Sequence, residues 1–475
     1  MALFMIGRVE SVVIDRLRVF VRVRAPADRS RGATASEMSC HEHCPLGRRC
    51  PAADRDEKGS CMPAVSCGID WAQDHHDIAV VDEQGTVISA VRIDNDAAGL
   101  ARLLEILAEH DTPELRLEVA IETSRGLLVA GLRAAGRTVF AINPLAVSRY
   151  RDRYRSSRGK SDAFDAMVLA NILRTDRDAH RSLPEDSDQV RALQVLCRAQ
   201  QDAIWDKLTV TNRIRALLRA FFPAAVAAFE RGGRHRLESA SCRTILAVAS
   251  TPSEAGMLTE RRLAGMLRKA GRQRGIDAEA ARLRGYFQAE QMHQPESVEQ
   301  AMGVQLRGLL RQLDAVCRSL AELETQIDAA FLAHPDGQIV SSVPGLGVAL
   351  GARLLAEIGD DHSRFADGRA LKAFAGAAPV TRASGRSTFV HARRAKNNRM
   401  AAVGYVWALA ALRHDPLWEA RYRARRAAGD RHVTALRKMF NSMLGKLHHC
   451  LITGERYHPD EAFRPLTAAV EVPAT

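Results

Sequence analysis

A chain of 475 residues, 46% hydrophobic and 26% charged, has the composition of a folded protein with room for roughly three domains and at least one sizeable core. Its 68 basic residues against 56 acidic ones leave a formal charge of +12, which suits a polyanionic partner. No run of about 18 apolar residues occurs, so a membrane-spanning protein is excluded.

The N-terminus, "MALFMIGRVESVVIDRLRVFVRVRAPADRS", alternates apolar residues with arginines and lacks the continuous apolar core and small-residue cleavage site of a secretory signal. A cytoplasmic protein with reduced thiols is therefore expected. Cys40, Cys44, Cys50, Cys61 and Cys67 precede Asp70, with His41 and His43 among them. Thiolate and imidazole are zinc's preferred ligands, but "CHEHCPLGRRC" matches no zinc module and has no paired C-x2-C knuckle. Residues 1–61 are read as a basic, Cys-containing extension, either disordered or an upstream-start artefact with translation beginning at Met62.

From residue 65 the pattern is α/β. "VSCGIDWA" reads as a buried strand, and "HDIAVVDEQGTVISAVRI" as a hairpin turning at "DEQG". "DAAGLARLLEILAEH" has helical spacing through Leu100, Leu103, Leu104 and Leu107. "LRLEVAIET" is another strand, "SRGLLVAGLRAAG" a helix stopped by Gly136, and "TVFAINP" a strand ended by Pro144. Three strands, then helix, strand, helix, strand and a later helix is the order of a ribonuclease-H-like fold, expected over 62–180, although other α/β folds share that element order. The expected fold class is thus α/β plus α.

The middle, 181–335, predicts a helical coiled-coil arm. Leu193, Leu196, Gln200, Ala203, Lys207, Val210, Ile214, Leu217 and Phe221 fall at heptad a and d positions. So do Leu306, Leu309, Leu313, Val316, Leu320, Leu323, Ile327 and Ala330. Two such segments suggest an antiparallel pair or a seam between subunits. Residues 224–300 between them are basic and less periodic. The region 336–465 is expected to be mostly helical, followed by a tail over 466–475. Its "VPGLGVALGARLLAEIGD" resembles a helix-hairpin-helix whose turn presents backbone amides to a phosphate.

Four carboxylates carry the chemistry. Asp162 and Asp165 stand at i and i+3 on a stripe continued by Leu169 and Ile172, at the start of a helix that points into the core. Alone they read as an N-terminal cap, with Asp162 capping and the helix dipole favouring both. Asp70 closes the first strand in "GID" and Glu122 the fourth in "AIETS". Acids that end buried strands are costly unless compensated. In a ribonuclease-H-like sheet those strands are neighbours and the later helix crosses the same edge. Asp70, Glu122, Asp162 and Asp165 would then converge as hard oxygen donors suited to Mg²⁺, with Mn²⁺ as the other option. Two such ions clamp the attacking and leaving oxygens of a phosphoryl transfer. The adjacent cations Arg149, Arg151, Arg153, Arg155, Arg158 and Lys160 would bring a phosphate backbone to them. Asp74, Asp77 and Asp82 are read as solvated hairpin residues, and Asp176 and Asp178 as marking a helix end.

With these residues in place, the chain resembles the DEDD transposases of the IS110 insertion-sequence family, the bridge-RNA-guided recombinases. The likeness rests on "CGIDWA", "AIETS", "INP" followed by "RGKSDAFDA", and "SSVPGLGVALGARLLAEIGD" with "FAGAAPVTRASGRS", between about Val65 and Phe463. It implies a RuvC-like domain, a coiled-coil arm and a C-terminal transposase domain, with Asp70, Glu122, Asp162 and Asp165 as metal ligands. It further implies that Ser384 of "ASGRS" attacks DNA and forms a phosphoserine link, and that a structured noncoding RNA pairs with target and donor DNA. Assembly as a homo-oligomer, dimer or tetramer, with sites shared between subunits, follows from the same likeness. Members of the family usually start only a few residues before the "GID" strand, so residues 1–61 depart from the pattern.

Serine is a weak nucleophile unless activated. Arg382, Arg386, Arg393 and Arg394 could neutralise charge developing on the phosphate, and Gly385 would allow close backbone approach. Ser387 is the nearest rival nucleophile, and no local residue supplies a base. Three other readings stay open: a site-specific DNA invertase on the same scaffold, a metal-dependent junction nuclease in which water attacks, and a non-enzymatic nucleic-acid-binding protein.

Overall fold

A computed structural model describes residues 65–112, 115–154, 161–385 and 387–459. The early Cys/His group apart from Cys67, together with Arg155, Arg158, Lys160, Arg386 and the tail 466–475, lies outside the described residues. Two compact units divide the described chain between Glu185 and Asp186. Among the described residues, no helix is long and apolar enough to cross a membrane.

The first unit is a mixed α/β layer structure. Strands β1 (Val65–Trp71), β2 (His75–Asp82) and β3 (Val87–Asp94) form an antiparallel meander. The β2–β3 turn is fixed by Asp82, whose Oδ1 accepts the amides of Gln84 and Thr86 at 3.0 and 2.8 Å. Helix α1 (Ala97–Glu109) starts at an Asp96 cap and buries Leu103, Ile106 and Leu107. Strand β4 (Val119–Ile121) follows, then α2 (Leu127–Ala134), β5 (Val139–Ala141), α3 (Pro144–Tyr154) and α4 (Asp162–Asp176). The sheet order is β3-β2-β1-β4-β5, with β4 parallel to both β1 and β5. The first and fourth strands are therefore neighbours, as the element order predicts.

Each face of the sheet has its own core, the three-layer solution for a sheet apolar on both sides. Cys67, Ile69, Ile78, Val80, Val119 and Ile121 pack with α1 and α2. Ala120, Phe140 and Ile142 pack with α3 and α4. Cys67 is fully enclosed in the first of these cores, and burial pushes its thiol pKa up to about 12. It is therefore unsuited to serve as the thiolate ligand that the early cysteine cluster would need.

The second unit is almost wholly helical. Helices α5 (Asp188–Phe221) and α6 (Glu296–Ala333) pack antiparallel: Val190 and Leu193 share a core with Ile327 and Phe331, while Ile214 and Leu218 share another with Leu306 and Leu310. Leu218 rather than Leu217 is the buried residue near the end of α5. That drift is expected when a straight helix of 3.6 residues per turn is read against a 3.5 repeat. The stretch 222–295, aperiodic in sequence, folds into short helices joined by a small hairpin of β6 (Glu230–Arg231) and β7 (Arg234–His235), around Phe222, Phe229, Ile245 and Phe287.

Beyond α6 come a short helix (Pro335–Ser342), α7 (Val348–Ile358), the helix Gly368–Phe374, the ribbon β8 (Val380–Ser384) and β9 (Ser387–His391), and α8 (Asn398–His414). Residues 335–358 form two helices, and the turn between them packs against α8. Gly345 has φ +82°, and a Cβ there would stand 2.7 Å from the Ala411 amide nitrogen. Trp407 Nε1 donates to the Pro344 carbonyl at 2.9 Å.

Candidate active site

The carboxylates of the first unit are positioned by the close approach of α4 to β1. Gly68 makes that approach possible: a Cβ there would lie 2.1 Å from the Ala166 carbonyl oxygen and 2.3 Å from the Ala170 nitrogen. Side chains two apart on a strand share a face, so Asp70 stands on the α4 side of the sheet. Ile69 pairs with Ile121, the last residue of β4, so Asp70 and Glu122 each follow a paired residue on adjacent strands. Both are partly exposed at the strand ends.

At the start of α4 the cap is Ser161, whose Oγ accepts the Phe164 amide at 3.3 Å. Asp162 is the first helical residue and Asp165 the fourth, so the capping reading of Asp162 is corrected. Asp165 is only 2% exposed, and Arg151 Nε of α3 lies 2.7 Å from its Oδ1. Arg153 stands 3.8 Å from Asp176, while Arg149 is exposed.

The ligand atoms that meet most closely belong to a different set. One oxygen or nitrogen from each of His75, Asp77 and Asp162 lies within 4.8 Å of the others, the one such group among the described residues. The structure thus brings Asp162 together with His75 and Asp77, and does not bring Asp70, Glu122 or Asp165 into that group. Asp77 is 7% exposed, which corrects its reading as a solvated hairpin residue. It stands directly opposite Asp70 in the β1–β2 ladder, a like-charge pairing that is unfavourable without compensation. Arg92 of β3 supplies it through Nε and Nη2, at 3.2 and 2.9 Å from the two Asp77 oxygens. The hydrogen bond to Asp77 raises the Arg92 pKa, with Asp162 adding to the effect. Sequence reading missed His75, Asp77 and Arg92. Their signal was the tight reversal after Trp71, which sets β2 in register with Asp77 facing Asp70.

In the second unit, Ser384 ends β8 and pairs with Ser387 at the start of β9. Gly385 between them has φ +54°, the left-handed conformation a two-residue hairpin turn requires. Every described residue from Thr381 to Ala392 is exposed, Arg382 among them. Arg394 is exposed and Arg393 partly buried. The ribbon is fastened at its base. Asn397 caps α8 through the Met400 amide and donates to Glu357 Oε2 at 2.6 Å. Glu357, buried in α7, also receives Arg198 of α5 at 2.9 and 3.1 Å. Arg399 reaches Asp202 at 2.7 Å and covers the Trp205 ring.

Removing one partner of a buried, doubly bonded ion pair leaves the other uncompensated. Glu357→Ala is therefore expected to cost about 3 kcal/mol of stability, read as a lower urea midpoint in equilibrium unfolding. An unchanged midpoint would mean that Arg198 finds solvent at no cost.

Comparison with known proteins identifies the family. A DEDD transposase model of the IS110 type matches residues 67–223, and a model of the IS116/IS110/IS902 transposase family matches 337–423. The chain is 53% identical over 408 residues, 85% of its length and 98% of the relative's, to the "Mini-circle putative transposase for IS117" of Streptomyces coelicolor. It is 30% identical to the IS900 uncharacterized 42 kDa protein of Mycobacterium paratuberculosis, over 83% of this chain and 97% of that one. With the IS110 uncharacterized 43.6 kDa protein of S. coelicolor it shares 33% over 68% of this chain and 78% of that one. The acid-bearing sheet and the serine-bearing ribbon thus fall in the two segments the family models match, and the chain belongs to the IS116/IS110/IS902 family of transposases.

Proposed function

We propose that this transposase cuts and rejoins DNA to move an insertion element, guided by an element-encoded RNA, with Ser384 as the nucleophile. We read the first unit as a ribonuclease-H-like, RuvC-like catalytic domain, in which Asp70, Glu122, Asp162 and Asp165 hold Mg²⁺ or Mn²⁺. On the same reading 181–335 is the arm, 336–465 the serine-bearing domain, and the active form a homo-oligomer. The observation that carries the proposal is the meeting of β1, β4 and α4 at one sheet face, with acids from three chain segments at its end.

Asp70, Glu122, Asp162 and Asp165 offer only carboxylate oxygens, the hard ligands such a cation prefers, and Asp162 also meets His75 and Asp77, which could add a borderline nitrogen and a further oxygen. When bound, the cation supplies Lewis-acid stabilisation of charge developing on the phosphate. The chain's own residues do the rest. Ser384 presents Oγ at an exposed tip, Arg382 adds positive charge two residues away, and Gly385 keeps the turn free of a side chain. Exposed Arg149 and the cations that follow it draw in the DNA backbone.

The test uses the full chain with the element's RNA, labelled target and donor DNA, and Mg²⁺. A covalent protein–DNA adduct is expected on a denaturing gel, lost in EDTA and restored by added Mg²⁺. Asp162→Ala, with a melting curve like wild type, is expected to form none. Undiminished cutting in EDTA would sink the metal assignment. An adduct formed equally well without RNA would remove guidance and leave the serine in place.

A further inference from the structure

We infer that Phe389 is a substrate-positioning residue, which stacks its ring on a base of the DNA strand that Ser384 attacks; this rests on the proposed function above. Residues facing one way along the β8–β9 ribbon are Val380, Arg382 and Ser384, with their ladder partners His391, Phe389 and Ser387. Phe389 therefore lies on the face that carries Ser384, directly across from Arg382. The opposite face carries Thr381, Ala383, Thr388 and Val390. Phe389 is 61% exposed and Val390 65%, a large apolar investment for a ribbon that is two-stranded among the described residues. An isolated hairpin gains little stability from such side chains.

Charge identifies the occupant. From Gly368 to His414 the sequence contains no Asp or Glu, while Arg382, Arg386, Arg393, Arg394 and Lys396 lie in or just after the ribbon segment. An apolar ring inside an acid-free basic segment suits a polyanion with flat apolar surfaces, and a two-stranded ribbon has the width of a DNA groove. A protein partner with an apolar pocket would not call for five cations with no acid among them. DNA is chosen over RNA because the proposed nucleophile shares the face. Phe389 is two ladder positions from Ser384, roughly 7 Å, or about two nucleotides of axial rise. The ring of His391 lies 6.2 Å from that of Phe389 and extends the stacking surface away from the tip.

The experiment measures binding of the full chain, with its RNA and in EDTA, to a labelled duplex spanning the element's end, over a salt series. Phe389→Ala is expected to weaken binding roughly five- to hundredfold with an unchanged salt slope, because a stacking contact releases no counterions. Phe389→Trp should bind within about threefold of wild type, its added indole emission quenched by the duplex above the four native tryptophans. Val390→Ala, on the other face, should match wild type, and Arg382→Ala should lower the salt slope by about one. Equal losses in Phe389→Ala and Val390→Ala would overturn the inference, as would a loss seen with RNA alone but not with DNA. If wild type makes no adduct with DNA, the recombinase reading itself fails. If it does and Phe389→Ala binds normally, only this inference fails.

Discussion

Ser384→Ala is expected to abolish the covalent protein–DNA adduct, a loss of about a thousandfold or more in strand joining, whereas Ser387→Ala should retain it. The two hydroxyls are the closest competitors the fold offers. They are ladder partners, both exposed, on one ribbon face at either side of the Gly385 turn. Position alone gives no preference, and Ser384 is the residue that the proposed function assigns. Neither serine has a local base. No carboxylate occurs from Gly368 to His414, and His391 stands at the far end of the ladder, four pairs from the tip. Loss of the adduct should therefore be accompanied by an equal loss in EDTA, since activation must come from outside the ribbon. An adduct lost only in Ser387→Ala would move the nucleophile across the turn. Cutting that survives in both variants, with no adduct in wild type, would make water the nucleophile and favour the junction-nuclease reading. Inversion of a segment between two fixed sites, in place of insertion, would favour the invertase.

The sequence makes some of this architecture readable and hides the rest for identifiable reasons. The apolar runs ending in Asp70 and Glu122 are local signals, and their strands are neighbours once the element order is taken as ribonuclease-H-like. The stripe Asp165, Leu169, Ile172 marks the buried face of α4. Asp77 is different, because its burial depends on the register of β2 against β1 and on Arg92 arriving from β3. Glu357 lies in a helix that reads as apolar, and its partner Arg198 is 159 residues away. Such a pair leaves no periodic trace. The short helices of 222–295 bury residues too sparsely spaced for a heptad or a strand pattern, although together they enclose one core. The ribbon did carry a signal, since "GR" between two Thr- and Val-containing runs is a two-residue hairpin connection.

Gly68→Val should disrupt the first unit more than any substitution among its acids. A Cβ at this position would meet the Ala166 oxygen at 2.1 Å, the Ala170 nitrogen at 2.3 Å and Leu169 Cβ at 2.8 Å. Two of the three are backbone atoms, so no rotamer change relieves the clash and α4 must move off β1. Overpacking in a core costs about 1–3 kcal/mol, and a backbone collision belongs at or above the upper end. For a unit of this size about 3 kcal/mol corresponds to a fall in melting temperature of roughly 10–20 °C. Gly265→Ala gives the contrast. That glycine is exposed within the helix Glu260–Lys269, a Cβ added to it would meet nothing within 4 Å, and the substitution should gain roughly 0.4–1 kcal/mol. The milder Gly68→Ala separates stability from chemistry. Where it still folds at low temperature, α4 must be displaced, and with it Asp162 relative to Asp70, His75 and Asp77. Adduct formation should then fall by more than the folded fraction measured by circular dichroism. A loss no greater than that fraction would show that the acids tolerate movement of the helix, and would weaken the claim that close packing at Gly68 sets the geometry of the proposed metal ligands.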